Sequence, residues 1–248
     1  MKNQFRDLTL VDLKGPRTLV IACDSSAGIG NKPLDTVQID PAVTAAYSLR
    51  VPLMELLCFG ATPTMVVDTI GNEMALTGER IIAGLRGELD KAGLADVPLN
   101  GSTEDNMPTQ TTSIGVTVIG TIDQKAIQAQ PAAGALAVYQ MGTPYVGEEV
   151  KAHLATIFSY GKVRAIWAHS AVVDMLPVGS KGIAYELSQM AAVLHMGRIT
   201  TDLDLNGPEL TRSAGPATVI LVAIKISERA AFEKQFPELV EIAQLHQS

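Results

Sequence analysis

Cysteine is scarce in this chain, with two in 248 residues, Cys23 and Cys58. Both sit among Val, Ile, Ala and Leu, so they read as buried free thiols, and neither a disulfide framework nor a zinc site is expected. Long apolar runs are lacking as well. Stretches such as Ala217 to Ile224 fall far short of the roughly 20 residues that span a bilayer, and read instead as buried strands. Basic residues are outnumbered, 19 Lys and Arg against 26 Asp and Glu, for a net charge of −7. That balance argues against a broad cationic surface, so neither nucleic acid nor a membrane is expected as a partner. The segment Met1-Lys2-Asn3-Gln4-Phe5-Arg6-Asp7 has no apolar core of a secretory signal, which makes a cytoplasmic location the default. What remains, 47% hydrophobic residues with only 4% aromatic, describes a soluble globular protein with ample core material.

The order of apolar patterns suggests two lobes, each mixing strands and helices, with helices packed on one sheet face: an α+β fold. In residues 1–123, Thr18 to Cys23 reads as a strand ending at a Gly-rich turn, and Asp40-Pro41 opens a helix that reaches Phe59. Thr64 to Ile70 is a second strand, Gly78 to Gly93 a second helix and Thr111 to Ile122 a long strand. Between Asp123 and Gly134 the composition shifts to Gln, Ala, Lys and Pro, the best linker. Residues 134–248 then read as strand (Ala135 to Met141), helix (Gly147 to Phe158), strand (Val163 to Ala168) and helix (Ser180 to Met196). Strands near Ile199 and Thr218 and a closing helix from Glu228 to Leu245 complete the second lobe.

Chemistry is most legible in Asp24-Ser25-Ser26-Ala27-Gly28-Ile29-Gly30-Asn31-Lys32-Pro33. Gly28 and Gly30 let backbone amides approach an anion, Lys32 adds a cation, and Asp24 can hold a hard metal ion. It is neither a Walker A loop nor a dinucleotide fingerprint, and an ordinary solvated turn stays open. Glu55 interrupts the apolar run Val51 to Phe59, where a buried carboxylate is costly unless paired or metal-bound. Asp68 ends a strand, and Asn100 to Asn106 adds oxygen ligands. If Asp24, Glu55, Asp68 and Asp105 converge, they make an all-oxygen site suited to Mg²⁺ bridging nucleotide phosphates; the alternative for each is a cap or a turn.

These residues together resemble a known superfamily. The Asp24 loop, Glu55-Leu56-Leu57-Cys58-Phe59-Gly60-Ala61-Thr62-Pro63, Asn100-Gly101-Ser102-Thr103 and Ser113 to Gly120 are similar to motifs of aminoimidazole ribonucleotide synthetases, thiamine-monophosphate kinases and selenophosphate synthetases. The resemblance spans nearly the whole chain. It implies a two-lobe fold with mixed or antiparallel sheets, an ATP- and Mg²⁺-binding first lobe that forms a homodimer through its sheet, and a second lobe for a small-molecule substrate. Met54 to Ala61 matches the kinase stretch Ser-Asp-Leu-Ala-Ala-Met-Gly-Ala with Glu55 in the aspartate position, so a metal role is implied for it. Asp24 falls on an aspartate that ends a first-lobe strand. Gly-Gly-Asp-Thr becomes Asn100-Gly101-Ser102-Thr103, which loses one acid unless Glu104 or Asp105 replaces it. In the second lobe Ser-Asp-Gly becomes Ser180-Lys181-Gly182, and Arg212 to Thr218 carries none of the acids of the thiamine substrate motif.

A cationic acceptor is therefore disfavoured and a neutral, nucleoside-like hydroxyl fits better. Among the short branches the chain is most similar to alpha-ribazole kinase, which serves cobamide assembly. The implied reaction is in-line transfer of the ATP γ-phosphoryl group. Asp24, Glu55, Asp68 and Asp105 would hold Mg²⁺; Gly28, Gly30, Lys32, Asn100 and Thr103 would contact the nucleotide; Lys181 and Ser180 would neutralise the transferring group or orient the acceptor. Two alternatives remain: an ATP-dependent synthetase of the aminoimidazole ribonucleotide type, and a non-catalytic nucleotide-binding regulator, for which Ser102 is the main support. His153, His169 and His195 read as structural.

Overall fold

The computed structural model describes residues 4–127 and 134–247, and the chain divides into two compact units. One comprises Met1–Gln124 with Gly147–Leu154, the other Lys125–Val146 with Ala155–Ser248. Residues 128–133, inside the expected linker, lie outside the described residues.

The first unit is built on a six-stranded sheet, in the order β1-β2-β3-β8-β6-β7, from β1 (Gln4–Phe5), β2 (Leu8–Asp12), β3 (Arg17–Ala27), β6 (Thr62–Ile70), β7 (Leu99–Thr103) and β8 (Ser113–Asp123). A two-stranded ladder, β4 (Ile29–Gly30) with β5 (Val37–Gln38), stands beside it. The central pairs β3-β8 and β8-β6 are antiparallel and β6-β7 is parallel, so β3, β6 and β7 all run in one direction. Alternation does the rest: Ile114, Val116, Val118 and Ile122 of β8 are buried while the residues between them are partly exposed, as period-2 side-chain geometry requires. Helix α1 (Pro41–Cys58) covers that buried face, packing on β3 and β8, and α2 (Glu79–Lys91) packs on α1. Asp40 caps α1 by accepting from Ala42 N at 2.9 Å, and Pro41 stands at its first turn, where its missing N–H costs nothing. The opposite face carries Val11, Leu19, Ile21, Met65, Val67 and Ile119 and is left open within this unit, with Val11 and Met65 about two-fifths exposed.

The second unit holds a five-stranded antiparallel sheet in the order β10-β12-β9-β13-β11: β9 (Leu136–Gly142), β10 (Val172–Pro177), β11 (Arg198–Thr200), β12 (Val219–Lys225) and β13 (Val240–His246). Counting every helix in chain order, α3 (Gln124–Ile127) is a single turn, α4 (Glu148–His153) belongs to the first unit, and α5 (Tyr160–Trp167), α6 (Gly182–Val193), α7 (Pro208–Thr211) and α8 (Arg229–Gln235) belong to the second. Val138 packs with Ile183, Leu187 and Met190 of α6, and its neighbour Tyr139 packs against Phe232 of α8. Adjacent strand residues point to opposite faces, so helices cover both sides of this sheet.

Several expectations are corrected. Val163 to Ala168 is not a strand but the body of α5, opened by Ser159, whose Oγ accepts from Lys162 N. The closing helix from Glu228 to Leu245 is a seven-residue helix followed by strand β13. Pro237 explains the break, because the residue before a proline is driven out of helical φ/ψ, and Phe236 sits at φ −128°, ψ 64°. Gly147 to Phe158 holds only α4 and one 3-10 turn, Leu154–Thr156. Cys58 is buried as expected, but Cys23 is exposed on the open sheet face.

Candidate functional site

The C-terminal ends of the parallel strands β3, β6 and β7 converge on one edge of the first unit, and most of the expected residues are there. Strand β3 runs on to Ala27 because β8 pairs with it along its whole length, so Asp24, Ser25 and Ser26 are strand residues rather than loop. Asp24 and Asp68 both stand opposite Val116 of β8, one from each neighbouring strand. Directly opposed residues share a face, so both side chains project to the helix-covered side, from backbone positions about 10 Å apart by strand spacing. Asp68 is 4% exposed. Its side chain lies over Gly101 of β7, where any β-carbon would collide with the carboxylate; that is why glycine is required. Burial pushes both acids above the usual carboxylate range, and among the described residues neither pairs with a cation.

Three connections are stitched together just beyond these strands. The loop after β3 is held by Asp35, 7% exposed, which accepts from Lys32 N at 2.8 Å, Thr112 N at 2.7 Å and Thr112 Oγ1 at 2.7 Å. Gly30 packs so closely on Thr112 and Asp35 that a β-carbon has no room, and Gly28 N already donates to Thr112 O at 2.9 Å. Both glycines thus shape the loop, and the Gly28 amide is engaged within the protein. Lys32 Nζ reaches the connection after β6 and donates to Glu73 Oε1 and Oε2 at 2.8 and 2.7 Å. Asn72, fully buried, accepts from Ser113 N and donates to Thr109 Oγ1 and Thr111 O. After β7, Thr103 donates to Asp105 Oδ2 at 2.6 Å and Met74 N donates to Oδ1 at 2.8 Å. Burial alone would raise Glu73, but the bonds from Lys32 and Thr77 outweigh it and hold the carboxyl down at about 2. Asp105, fully exposed, is lowered by its bonds from Thr103 and Met74 N.

The sequence pattern missed Asp35, Asn72, Glu73 and Thr112. A signal existed for two of them: Gly71-Asn72-Glu73 directly follows the strand carrying Asp68, and an acid just past a strand-ending glycine belongs in the same inspection as Asp24. Other expected residues do not join the cluster. Glu55 is half-buried near the C-terminal end of α1. Its neighbour Leu56 packs on Gly120, four residues along β8 from Val116, or about 13 Å. Asn100 lies at the start of β7 opposite Val67 and is exposed. Ser180 and Lys181 open α6 in the second unit, both exposed, and Lys181 Nζ lies over the Tyr185 ring at 4.3 Å and donates to its hydroxyl at 3.3 Å. Among the described residues, no group of three or more His, Cys, Asp or Glu is arranged to hold a metal ion. A Mg²⁺ ion carried by a nucleotide needs fewer, since one or two carboxylates and the phosphates usually complete its shell with water. Two acids at strand ends, Asp68 buried and Asp24 half-buried, each without a cation partner among the described residues, fit that donor set.

Residues 6–122 match the family described as AIR synthase related protein, N-terminal domain. No curated protein sequence matches the chain. Among solved structures, thiamine monophosphate kinase from Aquifex aeolicus is 12% identical with a TM-score of 0.69, covering 100% of this chain and 90% of that one. AaThiL complexed with AMPPCP and TMP is 13% identical with a TM-score of 0.68, over 100% and 87%. PurL from T. maritima, complexed with ATP, is 14% identical with a TM-score of 0.64, over 96% of this chain but 42% of that one. Identities this low establish a shared fold.

Proposed function

We propose, from the premise that residues 6–122 carry an AIR synthase related N-terminal domain, that this protein is an ATP-dependent phosphotransferase acting on a small-molecule hydroxyl. The observation that carries the reading is the pair Asp24, half-buried, and Asp68, buried, both lifted in pKa by desolvation at the same strand ends as the Lys32 loop. A buried acid without a counter-charge is costly, and a bound divalent cation is what relieves it. Mg²⁺ held there would neutralise phosphate charge as it moves toward the leaving group. Asp24 and Asp68 stand on the same face of the sheet, one on each side of Val116, where both could hold nucleotide-borne Mg²⁺. Asp105, exposed beside Thr103, is a further oxygen donor, whereas Glu55 would have to act elsewhere.

In the transfer, a bond forms between the acceptor oxygen and the γ-phosphorus, the bond from that phosphorus to the bridging oxygen of ADP breaks, and the hydroxyl proton leaves to solvent. The protein's share is positioning and charge balance. Lys32 is the phosphate-side cation, and Gly28 and Gly30 hold the loop that presents it. Lys181 and Ser180 are assigned to the acceptor. The acceptor best suited to a second unit with Ser180-Lys181-Gly182 and no acids in Arg212 to Thr218 is a neutral nucleoside, with alpha-ribazole and its 5′-hydroxyl as first choice. The open face of the first sheet is assigned to a second copy of the chain. The deciding experiment supplies Mg²⁺, ATP and a nucleoside panel that includes alpha-ribazole. Acceptor-dependent ADP with phosphate carried on the nucleoside supports the kinase; ADP with free phosphate in the presence of an amidine-forming substrate favours a synthetase; ATP binding without turnover on any acceptor defeats both.

A further inference from the structure

Lys32 and Glu73 come from different connections, yet they grip each other more fully than a surface pair does. Both carboxylate oxygens accept from Nζ, and the lysine side chain is 16% exposed. Thr77 Oγ1 and Thr109 Oγ1 donate to the same carboxylate at 2.5 and 3.4 Å. Glu73 also opens the turn Met74–Gly78, in which Ala75 is extended and Leu76 takes φ 71°, ψ −66°. That left-handed conformation costs energy for leucine, and packing gives little back, because the Leu76 side chain is 79% exposed. The turn is fixed instead by Gly78 N donating to Glu73 O and by Met74 N donating to Asp105. So the strained residue, Leu76, lies three positions beyond Glu73, in the turn that Glu73 opens.

We propose that Glu73 is a resident counter-ion, a stand-in anion that occupies Lys32 until a polyphosphate displaces it. The inference deepens the nucleotide reading above and rests on it. An ammonium has three donors and Glu73 engages it with both oxygens, so an arriving phosphate competes for the same charge. A triphosphate brings more negative charge than one carboxylate and wins, at reduced net affinity. The Thr77 and Thr109 hydroxyls keep Glu73 hydrogen-bonded after the lysine leaves, which makes the exchange reversible. Glu73 is then a positioning residue, acting through Lys32.

The test is calorimetric titration of the full chain with tripolyphosphate and with ATP, both without Mg²⁺. Glu73→Gln keeps the shape and removes the charge, so both ligands should bind about three- to tenfold more tightly. Lys32→Met should weaken both about tenfold, and Lys32→Met with Glu73→Gln should recover none of that loss. Glu73→Asp, which withdraws the carboxylate by one methylene, should give a smaller gain and covers the case in which Glu73→Gln does not fold. If the parent binds ATP and neither glutamate variant binds it more tightly, the counter-ion is refuted and the nucleotide reading stands. If the parent binds neither ligand, both are refuted.

Discussion

The two sheets treat their acids in opposite ways. In the second unit, Tyr139, 1% exposed, donates to Glu233 at 2.8 Å and lies 3.2 Å from Glu241, and Arg229 pairs with both glutamates. Each of those charges has a partner, and the Tyr139 ring packs on Phe232, which itself contacts Phe236 and His169. In the first unit Asp68 is buried and Asp24 half-buried, and among the described residues neither has a cation beside it. A satisfied network stabilises a fold, whereas an unsatisfied one is tolerated where something else completes it.

The contrast can be broken from either side. Phe232→Ala removes a fully buried ring from the satisfied cluster and should cost about 3–5 kcal/mol, read by denaturant unfolding. Asp68→Asn should reduce Mg²⁺-dependent turnover by about a hundredfold or more while raising the melting temperature of the metal-free protein; a lowered one would mean that the carboxylate is structural. Tyr139→Phe should lose about 1 kcal/mol, and a loss near zero would show that Arg229 alone neutralises the two glutamates. The smallest effect is in pH dependence. Because burial raises the folded pKa of Asp24 and Asp68, their stability contribution is complete below the ordinary aspartate value and is lost as pH rises through the raised values. Glu73, lowered to about 2, behaves oppositely: its contribution is present above the ordinary glutamate value and is lost as pH falls toward about 2. Relative to Glu73→Gln, the parent should therefore lose roughly 0.5–1 kcal/mol more stability as pH falls below the ordinary glutamate value, the figure for a partly exposed pair, read from melting curves of both proteins across pH.

Much of the first unit was legible in the sequence. Asp40-Pro41 marks a helix start through the chemistry of a cap, and the alternation in Ser113 to Ile122 marks a strand through period 2. The second unit misled where two periods compete. Val163 to Ala168 is short and apolar enough to suit either element, and Glu228 to Leu245 carries helix-forming residues on both sides of Pro237. There the sheet settled the outcome, since β13 completes the ladder on β9 and buries Ile242, Ala243 and Leu245.

At the candidate site the same division holds. Sequence alone singled out Asp24, Asp68, the Gly28 to Lys32 loop and Asp105 as candidates, because acids and glycines at strand ends are visible as local pattern. It also fixed the acidic charge and the shortage of thiols. Only the tertiary structure decided that Asp24 and Asp68 flank one residue, Val116, that Glu55 lies at the other end of that sheet, and that Lys32 is held by Glu73, 41 positions away. Register and long-range ion pairs are set by how strands align in space, and no local pattern carries that alignment.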